Sequence, residues 1–317
     1  MLKYFAAAAA IGLLAVPAKA AEVTVAVTAI VEHPALDAAR DGIRDGLADA
    51  GYKVGDNLTF VYESAQGNPA TAAQIARKFV GDAPTVIVPI STPSAQAVVA
   101  ATKDIPVVFT AVTDPVGAEL VTDAAMPGGN VTGVSDLSPL ADHLALIKEI
   151  SPDAKRIGII FNPGEANSVA LVEKLKELGG PAGYEIVEAS ATKTADVQQA
   201  ARSLVGKADV MYIPTDNTVV SALEAAVQVA EQNGIPLYAG DTDSVPRGAI
   251  AAIGFNYYDI GLQTATIVAK VLDGAKPGSI PVMQAQGTNL VVNPGAAKKM
   301  GVTIPDAVVS RANTVVQ

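Results

Sequence analysis

Hydroxyl side chains cluster where a helix is predicted to begin, at Ser91, Thr92 and Ser94. Serine and threonine are favoured N-caps, and Pro93 suits the first turn of a helix. The unpaired N–H groups of a first turn and the helix dipole attract anions, so this segment could hold a carboxylate. The same residues would also begin an ordinary structural helix, but their place at the edge of a predicted sheet favours binding.

Acidic side chains follow three predicted strands: Asp114, Asp216 and Asp241. Each could cap a helix or a turn, or could instead bind a cationic group. Carboxylates along one edge of the sheet, together with hydroxyls at the start of a helix, could bind the two opposite charges of a zwitterion. Aspartate would bind its ammonium, while hydroxyl and backbone N–H groups would bind its carboxylate. These residues therefore predict the binding of a small zwitterion.

Polar residues also follow the first predicted strand of each half of the chain. In the first half, His33 precedes Pro34. His33 could titrate or bind a metal, but a lone imidazole here is more often hydrogen-bonded at a helix entry. The other histidine, His143, lies on the polar face of a predicted helix, where we expect it to contact solvent. The corresponding residues of the second half are Asn162, Glu165, Asn167 and Ser168.

The composition excludes several classes of protein. The chain has 317 residues, no cysteine and two histidines, so disulfides, thiolate metal sites and thiol nucleophiles are excluded. A formal net charge of −10 argues against a nucleic-acid partner. We find no dinucleotide-binding, P-loop or nucleophile-elbow motif and expect no cofactor and no resident metal. Cleft carboxylates could in principle hydrolyse glycosides, but nothing in their spacing favours hydrolysis over binding.

The N-terminus has the pattern of a secretory signal peptide over residues 1–20. Lys3 precedes an apolar run over Tyr4–Val16, and Ala18-Lys19-Ala20 forms a cleavage site. Its removal leaves 20 basic against 32 acidic residues. No cysteine follows the apolar run, so lipid attachment there is impossible. We therefore expect an exported, soluble, periplasmic protein.

Apolar runs alternate with amphipathic stretches along the chain, which predicts βαβ units and parallel sheets. A second set of elements begins at a strand over Arg156–Phe161 and repeats the first, with Pro89 matching Pro214. This duplication predicts an α/β fold of two similar doubly wound, Rossmann-like lobes. The first-half strands are predicted at Val23–Thr28, Leu58–Glu63, Thr85–Ile90, Val107–Thr110 and near 130–135, and the helices at Pro34–Gly51, Pro69–Val80, Pro93–Thr102 and near 139–150.

The C-terminal part predicts that the chain crosses between the lobes three times. A long amphipathic stretch over Ile253–Asp273 comes too late to belong simply to the second lobe, and short strands follow at Pro281–Gln284 and Asn289–Asn293. Three crossing strands would form a hinge, and the ligand would bind in the cleft beyond the carboxyl ends of the strands. We predict lobe 1 from residues 21–137 plus about 252–284, and lobe 2 from residues 138–251 plus about 285–317.

Seven segments of the chain resemble one protein family: Ile30–Gly42, Ile90–Gln96, Phe109–Ala118, Asn130–Asp136, Phe161–Ser168, Tyr212–Thr218 and Tyr238–Val245. In them the chain is similar to the ABC-transporter substrate-binding proteins of the tryptophan/tyrosine type, which have the type I periplasmic-binding-protein fold. The resemblance implies a monomer that binds an amino acid, aromatic or branched apolar, and delivers it to an ABC permease and its ATPase. Many relatives carry a lipobox cysteine, whereas this chain has none, which favours a free periplasmic protein.

The likeness to amino-acid binders of this fold also implies roles for particular residues. In lobe 1, the ligand's carboxylate and ammonium would be held by the loop with Ser91, Thr92 and Ser94 and by the loop with Thr113 and Asp114. From lobe 2, the cleft would be closed by Asn162, Glu165, Asn167, Ser168, Asp216, Asn217 and Asp241.

Other ligands and roles remain open at this point. The same fold could report its ligand to a membrane signalling partner, or could bind a sugar or a nucleoside. A sugar is less favoured because aromatic residues make up 4% of the chain. Because tryptophan is absent, stacking on a ligand would have to come from Phe109, Phe161, Tyr212, Tyr238 or the Tyr257–Tyr258 pair.

Overall fold

The computed structural model describes residues 22–317, and the predicted signal peptide, residues 1–20, lies outside this part of the chain. The strands are β1 (Val23–Ala29), β2 (Leu58–Ser64), β3 (Val86–Ile90), β4 (Val107–Val112), β5 (Val131–Ser135), β6 (Arg156–Phe161), β7 (Glu185–Ser190), β8 (Val210–Ile213), β9 (Leu237–Ala239), β10 (Ala251–Phe255), β11 (Met283–Gln284), β12 (Thr288–Val292) and β13 (Thr314–Val315). The helices are α1 (Pro34–Asp49), α2 (Pro69–Asp82), α3 (Thr92–Ala101), α4 (Leu140–Ile150), α5 (Ala166–Gly179), α6 (Val197–Leu204), α7 (Asn217–Ser221), α8 (Leu223–Asn233), α9 (Tyr257–Leu272), α10 (Pro294–Lys299) and α11 (Asp306–Arg311).

Two parallel sheets form the framework. The larger has six strands in the order β11-β5-β4-β3-β1-β2, and the smaller has four in the order β7-β6-β8-β9. A third sheet, β10-β12-β13, pairs β10 antiparallel to β12. Strands such as β3, β4 and β8 are buried along their whole length, as expected for parallel sheets covered by helices on both faces. The predicted α/β class is confirmed.

Buried apolar residues form two separate clusters. One, which we call lobe 1, draws on residues 25–134 and again on 255–285. The other, lobe 2, draws on residues 140–252 and again on 290–308. The chain therefore passes between the clusters three times, near residues 135–139, 253–254 and 286–289.

Sequence signals explain where several helices begin and how two of them pack. Asn68 caps α2 by accepting hydrogen bonds from the N–H groups of Ala70 and Thr71. Helices α1 and α9 lie against each other at Gly42 and Gly261, where a Cβ on either residue would collide with the backbone of the opposite helix. Glycine at both positions lets the two helix backbones approach closely enough to complete the core of lobe 1.

The stretch over Ile253–Asp273 is not one amphipathic element. Its start belongs to strand β10, and helix α9 begins only at Tyr257. The break occurs at Asn256, whose side chain caps α9 by accepting a hydrogen bond from the N–H of Asp259. Over residues 22–317, none of the helices is both long and apolar enough to cross a bilayer.

Candidate functional site

A cavity with about 320 Å³ of space not filled by protein atoms lies between the two lobes, where the carboxyl ends of their strands face each other. From lobe 1 it is lined by His33, Leu36, Ser91, Thr113, Asp136 and Tyr257, together with two alanines. From lobe 2 it is lined by Asn167, Thr215, Asp216, Asn217, Val220 and Asp241.

The start of helix α3 presents free donors near this cavity. Within residues 22–317, the side chain of Ser91 makes no capping hydrogen bond, and the buried hydroxyls of Thr92 and Ser94 have no partner. Ser91 has φ 78° and ψ 154°, a conformation that costs a non-glycine residue about 1–3 kcal/mol and that often occurs at functional sites. The structure is therefore compatible with the anion site predicted at the start of α3, because the protein itself does not use these hydrogen-bond donors.

Asp216 is held by three donors of lobe 2. Its side chain accepts hydrogen bonds from the N–H of Val219 at 2.8 Å, from the N–H of Asn162 at 2.6 Å and from the hydroxyl of Ser168 at 2.6 Å. Burial, and then the neighbouring carboxylate of Glu165, raises the pKa of Asp216 above its ordinary value. Asp216 thus caps α7 and also lines the cavity, so the two roles considered for it are compatible.

Glu165 is a buried cap that does not line the cavity. Its carboxylate accepts hydrogen bonds from the N–H of Thr218 at 3.1 Å, the hydroxyl of Thr218 at 2.7 Å and the N–H of Asn217 at 3.2 Å. The side-chain amide of Asn167 donates to the carbonyl of Thr215 at 3.0 Å. In the described chain, Oδ1 of Asn167 and Oγ1 of Thr215 are buried without a partner, which leaves two polar atoms of the cavity wall available to a ligand.

Asp241 and Asp136 are the other acidic groups of the cavity wall. Asp241 accepts hydrogen bonds from the N–H and the hydroxyl of Ser244, at 2.8 and 2.7 Å. Asp136 accepts from the Tyr257 hydroxyl at 2.7 Å and from the Thr113 hydroxyl at 3.4 Å. Burial is the main cause that raises the pKa of each carboxyl. Among the lining residues, which all belong to the described part, there is no lysine or arginine.

Asp136 was missed as a site residue, although a signal for it existed. It follows β5 directly, just as Asp114 follows β4 by two residues. Asp114, which was expected in the site, is half-buried, accepts a hydrogen bond from the N–H of Gly117 at 2.8 Å and lines a separate surface groove. Both aspartates follow neighbouring strands of the sheet, and only the structure shows which one reaches the cavity.

Three other predicted residues lie one step behind the cavity wall. Asn162 donates from its side-chain amide to the Thr218 hydroxyl at 2.8 Å, and Ser168 donates to Asp216. Ser94 is fully buried next to the start of α3. Of the expected set, the structure brings to the cavity itself Ser91, Thr113, Asn167, Asp216, Asn217 and Asp241.

His143 is not exposed to solvent as expected; it is 3% exposed. Its Nδ1 lies 2.7 Å from the hydroxyl of Tyr212, and its Nε2 is hydrogen-bonded to the carbonyl oxygen of Ile253. Burial lowers the pKa of His143 to about 4. The expectation was wrong because the face of α4 that carries His143 packs against the crossing strand β10, a contact between residues far apart in sequence.

Most of the aromatic residues considered for stacking belong to the hydrophobic cores. These are Phe109, Phe161, Tyr212 and Tyr238. Tyr258 is 36% exposed and bonds to Asp45 on the outer surface. Tyr257 also belongs to the core of lobe 1, but alone among them it lines the described cavity.

Comparisons with known proteins agree with this architecture. The family model of the ABC transporter substrate-binding proteins matches residues 24–316. A tyrosine-binding protein from Clostridioides difficile (strain R20291) is 43% identical over 276 residues, which cover 87% of this chain and 80% of that protein.

Two solved structures are informative about conformation. A domain from Streptococcus pneumoniae in complex with L-Trp is 34% identical, covers 93% of this chain and 100% of its own, and superposes with a TM-score of 0.90. A ligand-free, open substrate-binding protein from Clostridium difficile is 40% identical, with 93% and 99% coverage, but its TM-score is 0.70. The open, ligand-free protein is the more identical of the two, yet it superposes less well than the L-Trp complex does.

Proposed function

The chain belongs to the family of ABC transporter substrate-binding proteins, and we propose that it captures a free α-amino acid in the cavity between its lobes and passes it on unaltered. The role of this family is binding, so hydrolysis by the cleft carboxylates is set aside. The observation that carries the proposal is that one cavity wall combines Ser91, at the start of α3, with three buried carboxylates and contains no basic side chain among the lining residues.

We place the ligand's carboxylate at the start of α3. The first-turn N–H groups and the hydroxyls of Ser91 and Thr92 supply donors there, and the helix dipole favours a negative charge. A carboxylate needs such donors once it leaves water. In the absence of arginine and lysine from the lining set, this helix start is the positive end of the cavity.

We place the ammonium among the carboxylates of Asp136, Asp216 and Asp241. Each carboxylate oxygen can accept two hydrogen bonds, so Asp136 and Asp241 keep lone pairs beyond those used by Tyr257 and Ser244. A hydrogen bond to a charged group contributes about 1.5–3 kcal/mol. Two or three such bonds at each end of the zwitterion would support micromolar binding or tighter.

We propose an aromatic side chain for the ligand. Leu36 and Val220 give part of the cavity an apolar wall, and we place the ligand's ring against them, near Tyr257, which lines the same cavity. The relatives support this assignment, since one is named for tyrosine and another holds L-Trp.

We further propose that residues 1–20 direct export and that the mature, monomeric protein works in the periplasm with an ABC permease and its ATPase. The family supports the transporter partner, and the sequence pattern of residues 1–20 supports export. A function as a sensor would use the same cavity with a different membrane partner.

Isothermal calorimetry of the purified protein against the twenty amino acids, with glucose and adenosine as controls, tests the ligand assignment. We expect heat with one or more aromatic amino acids and none with the controls. Heat with a sugar or a nucleoside but with no amino acid would overturn the proposal.

A further inference from the structure

His33 is a buried polar side chain that the proposed function has not used. It stands at the N-cap of α1, yet its side chain makes no capping hydrogen bond. It is 8% exposed and lines the cavity. Within the described chain its Nδ1 is buried and has no hydrogen-bond partner. A ring nitrogen withdrawn from water without a partner costs folding free energy, so an external partner is expected.

The ring of His33 is neutral at physiological pH. Burial, and then the positive charge of Arg247, lowers the pKa of His33 to about 3. Arg247 itself is occupied, because it forms an ion pair with Glu224 and donates to the carbonyl of Val220 at 2.8 Å. A neutral imidazole carries one N–H and one lone pair, so His33 can accept a hydrogen bond from an uncharged donor.

The position of His33 along the sheet edge separates it from Thr113 and Asp136. His33 follows β1, next to the strand β3 that leads to Ser91, whereas Thr113 follows β4 and Asp136 follows β5. In the order β5-β4-β3-β1, β1 lies two strands from β4. With about 4.8 Å between neighbouring strands, the loop of His33 lies about 10 Å along the edge from that of Thr113. An aromatic amino-acid side chain can bridge a distance of this order.

Part of the cavity wall that contains His33 is apolar. Ala35 and Leu36 of α1 and Val220 of α7 line the same cavity. A ring that packs against these side chains would leave its polar atom facing the imidazole. A ring without a polar atom would leave Nδ1 of His33 unpaired in a closed cavity.

We propose, resting on the function proposed above, that His33 is a specificity-determining residue that accepts a hydrogen bond from an O–H or N–H group on the ligand's aromatic ring. The cavity therefore selects tyrosine or tryptophan over phenylalanine. His33 does not hold the amino-acid backbone, so its substitution changes selectivity between side chains more than it changes binding of the common α-amino-acid group.

Calorimetry with L-tyrosine, L-tryptophan and L-phenylalanine tests this proposal on the wild type and on the His33→Leu and His33→Gln variants. We expect the wild type to bind a ring with a donor about tenfold or more tightly than phenylalanine. His33→Leu should lose most of that preference while still binding phenylalanine. His33→Gln, which keeps an acceptor, should retain more of the preference.

The failures can be told apart. If the wild type binds no aromatic amino acid, the proposed function falls and this inference falls with it. If the wild type binds all three equally, or if His33→Leu keeps the full preference, only the inference is overturned. Nitrogen-15 NMR spectra of the two histidine side chains test the inference on the wild-type protein, so this experiment does not depend on the folding of a variant. The His33 signal should move with tyrosine and not with phenylalanine, and an unmoved His33 signal with both bound would overturn the inference.

Discussion

The hydroxyl of Tyr257 donates a 2.7 Å hydrogen bond to the carboxylate of Asp136, although 121 positions separate the two residues. Asp136 follows β5 near the first crossing between the lobes, and Tyr257 begins α9 just after the second. The bond therefore joins two crossing segments at the cavity wall. It also favours the ionised form of Asp136, against the burial that raises the pKa of this carboxyl.

Replacing Tyr257 with phenylalanine should shift the pH dependence of binding. Without the hydroxyl the pKa of Asp136 rises further, so a larger fraction of the carboxyl is protonated at a given pH and cannot pair with an ammonium. As the pH is lowered, the affinity for the amino acid should therefore begin to decrease at a higher pH in Tyr257→Phe than in the wild type. Calorimetry from pH 5 to pH 8 measures this, with Tyr258→Phe as the control because Tyr258 bonds to Asp45 on the outer surface. Coinciding curves for wild type and Tyr257→Phe would contradict the role given to Asp136.

Asp241→Asn should weaken amino-acid binding by about 1–3 kcal/mol, because it leaves the ligand's ammonium with one fewer charged partner in a closed cavity. Asparagine keeps an oxygen that can accept from Ser244, so the loop should stay in place. The matched control is Asp114→Asn, which changes a half-buried turn cap outside the cavity. Equal affinities for the two variants would mean that Asp241 is only a structural cap.

Ser91→Gly should raise the free energy of unfolding of the ligand-free protein by about 1 kcal/mol and weaken ligand binding. Glycine tolerates the φ of 78° at this position without strain, but the substitution removes a hydroxyl from the proposed carboxylate site. Urea denaturation and calorimetry report the two effects separately. In the control variant Ala83→Gly, which relieves a φ of 50° at the end of α2, stability should rise and binding should not change. If Ser91→Gly binds the ligand as tightly as the wild type, the Ser91 hydroxyl does not contact the ligand.

Protonation of His143 should lower stability in mildly acidic solution. Its pKa is lowered from 6.5 to about 4 in the folded protein, so the unfolded chain binds a proton first as the pH falls. The contribution of His143 to the free energy of unfolding therefore decreases from about pH 6.5 down to about pH 4, by up to about 3 kcal/mol.

Urea denaturation of the wild type and His143→Gln across this pH range isolates that contribution. The other titrating groups, including His33 and the buried aspartates, are common to both proteins. The difference between the two curves should change with pH in the window from pH 6.5 to pH 4. A difference that stays constant would show that His143 is not the group that titrates.

Local patterns were sufficient to predict the first five strands and the first four helices of the described chain. The strand over Arg156–Phe161 was predicted with its observed ends, and that over Val107–Thr110 was two residues short. Alternating apolar runs and proline at the start of helices are local signals, and burial in parallel sheets reinforces them. The break at Asn256 was missed because apolar periodicity continued across the cap.

The site was predictable only in part. Ser91, Thr92, Asp216 and Asp241 were predicted site residues because each follows a strand, and such positions meet at one sheet edge; all of them except Thr92 line the cavity. Whether Asp114 or Asp136 lines the cavity depends on the direction in which the loop after each strand runs. No local sequence pattern predicts that direction. His143 was misjudged for a related reason, since its partners Tyr212 and Ile253 come from distant parts of the chain.

The close approach of α1 and α9 at Gly42 and Gly261 has a consequence for biogenesis. Helix α1 emerges early from the ribosome, whereas the helix that covers it, and strand β11 at the edge of the same sheet, emerge near the end of synthesis. Lobe 1 cannot complete its core until then. The first part of the chain to be synthesised is therefore among the last to reach its final packing.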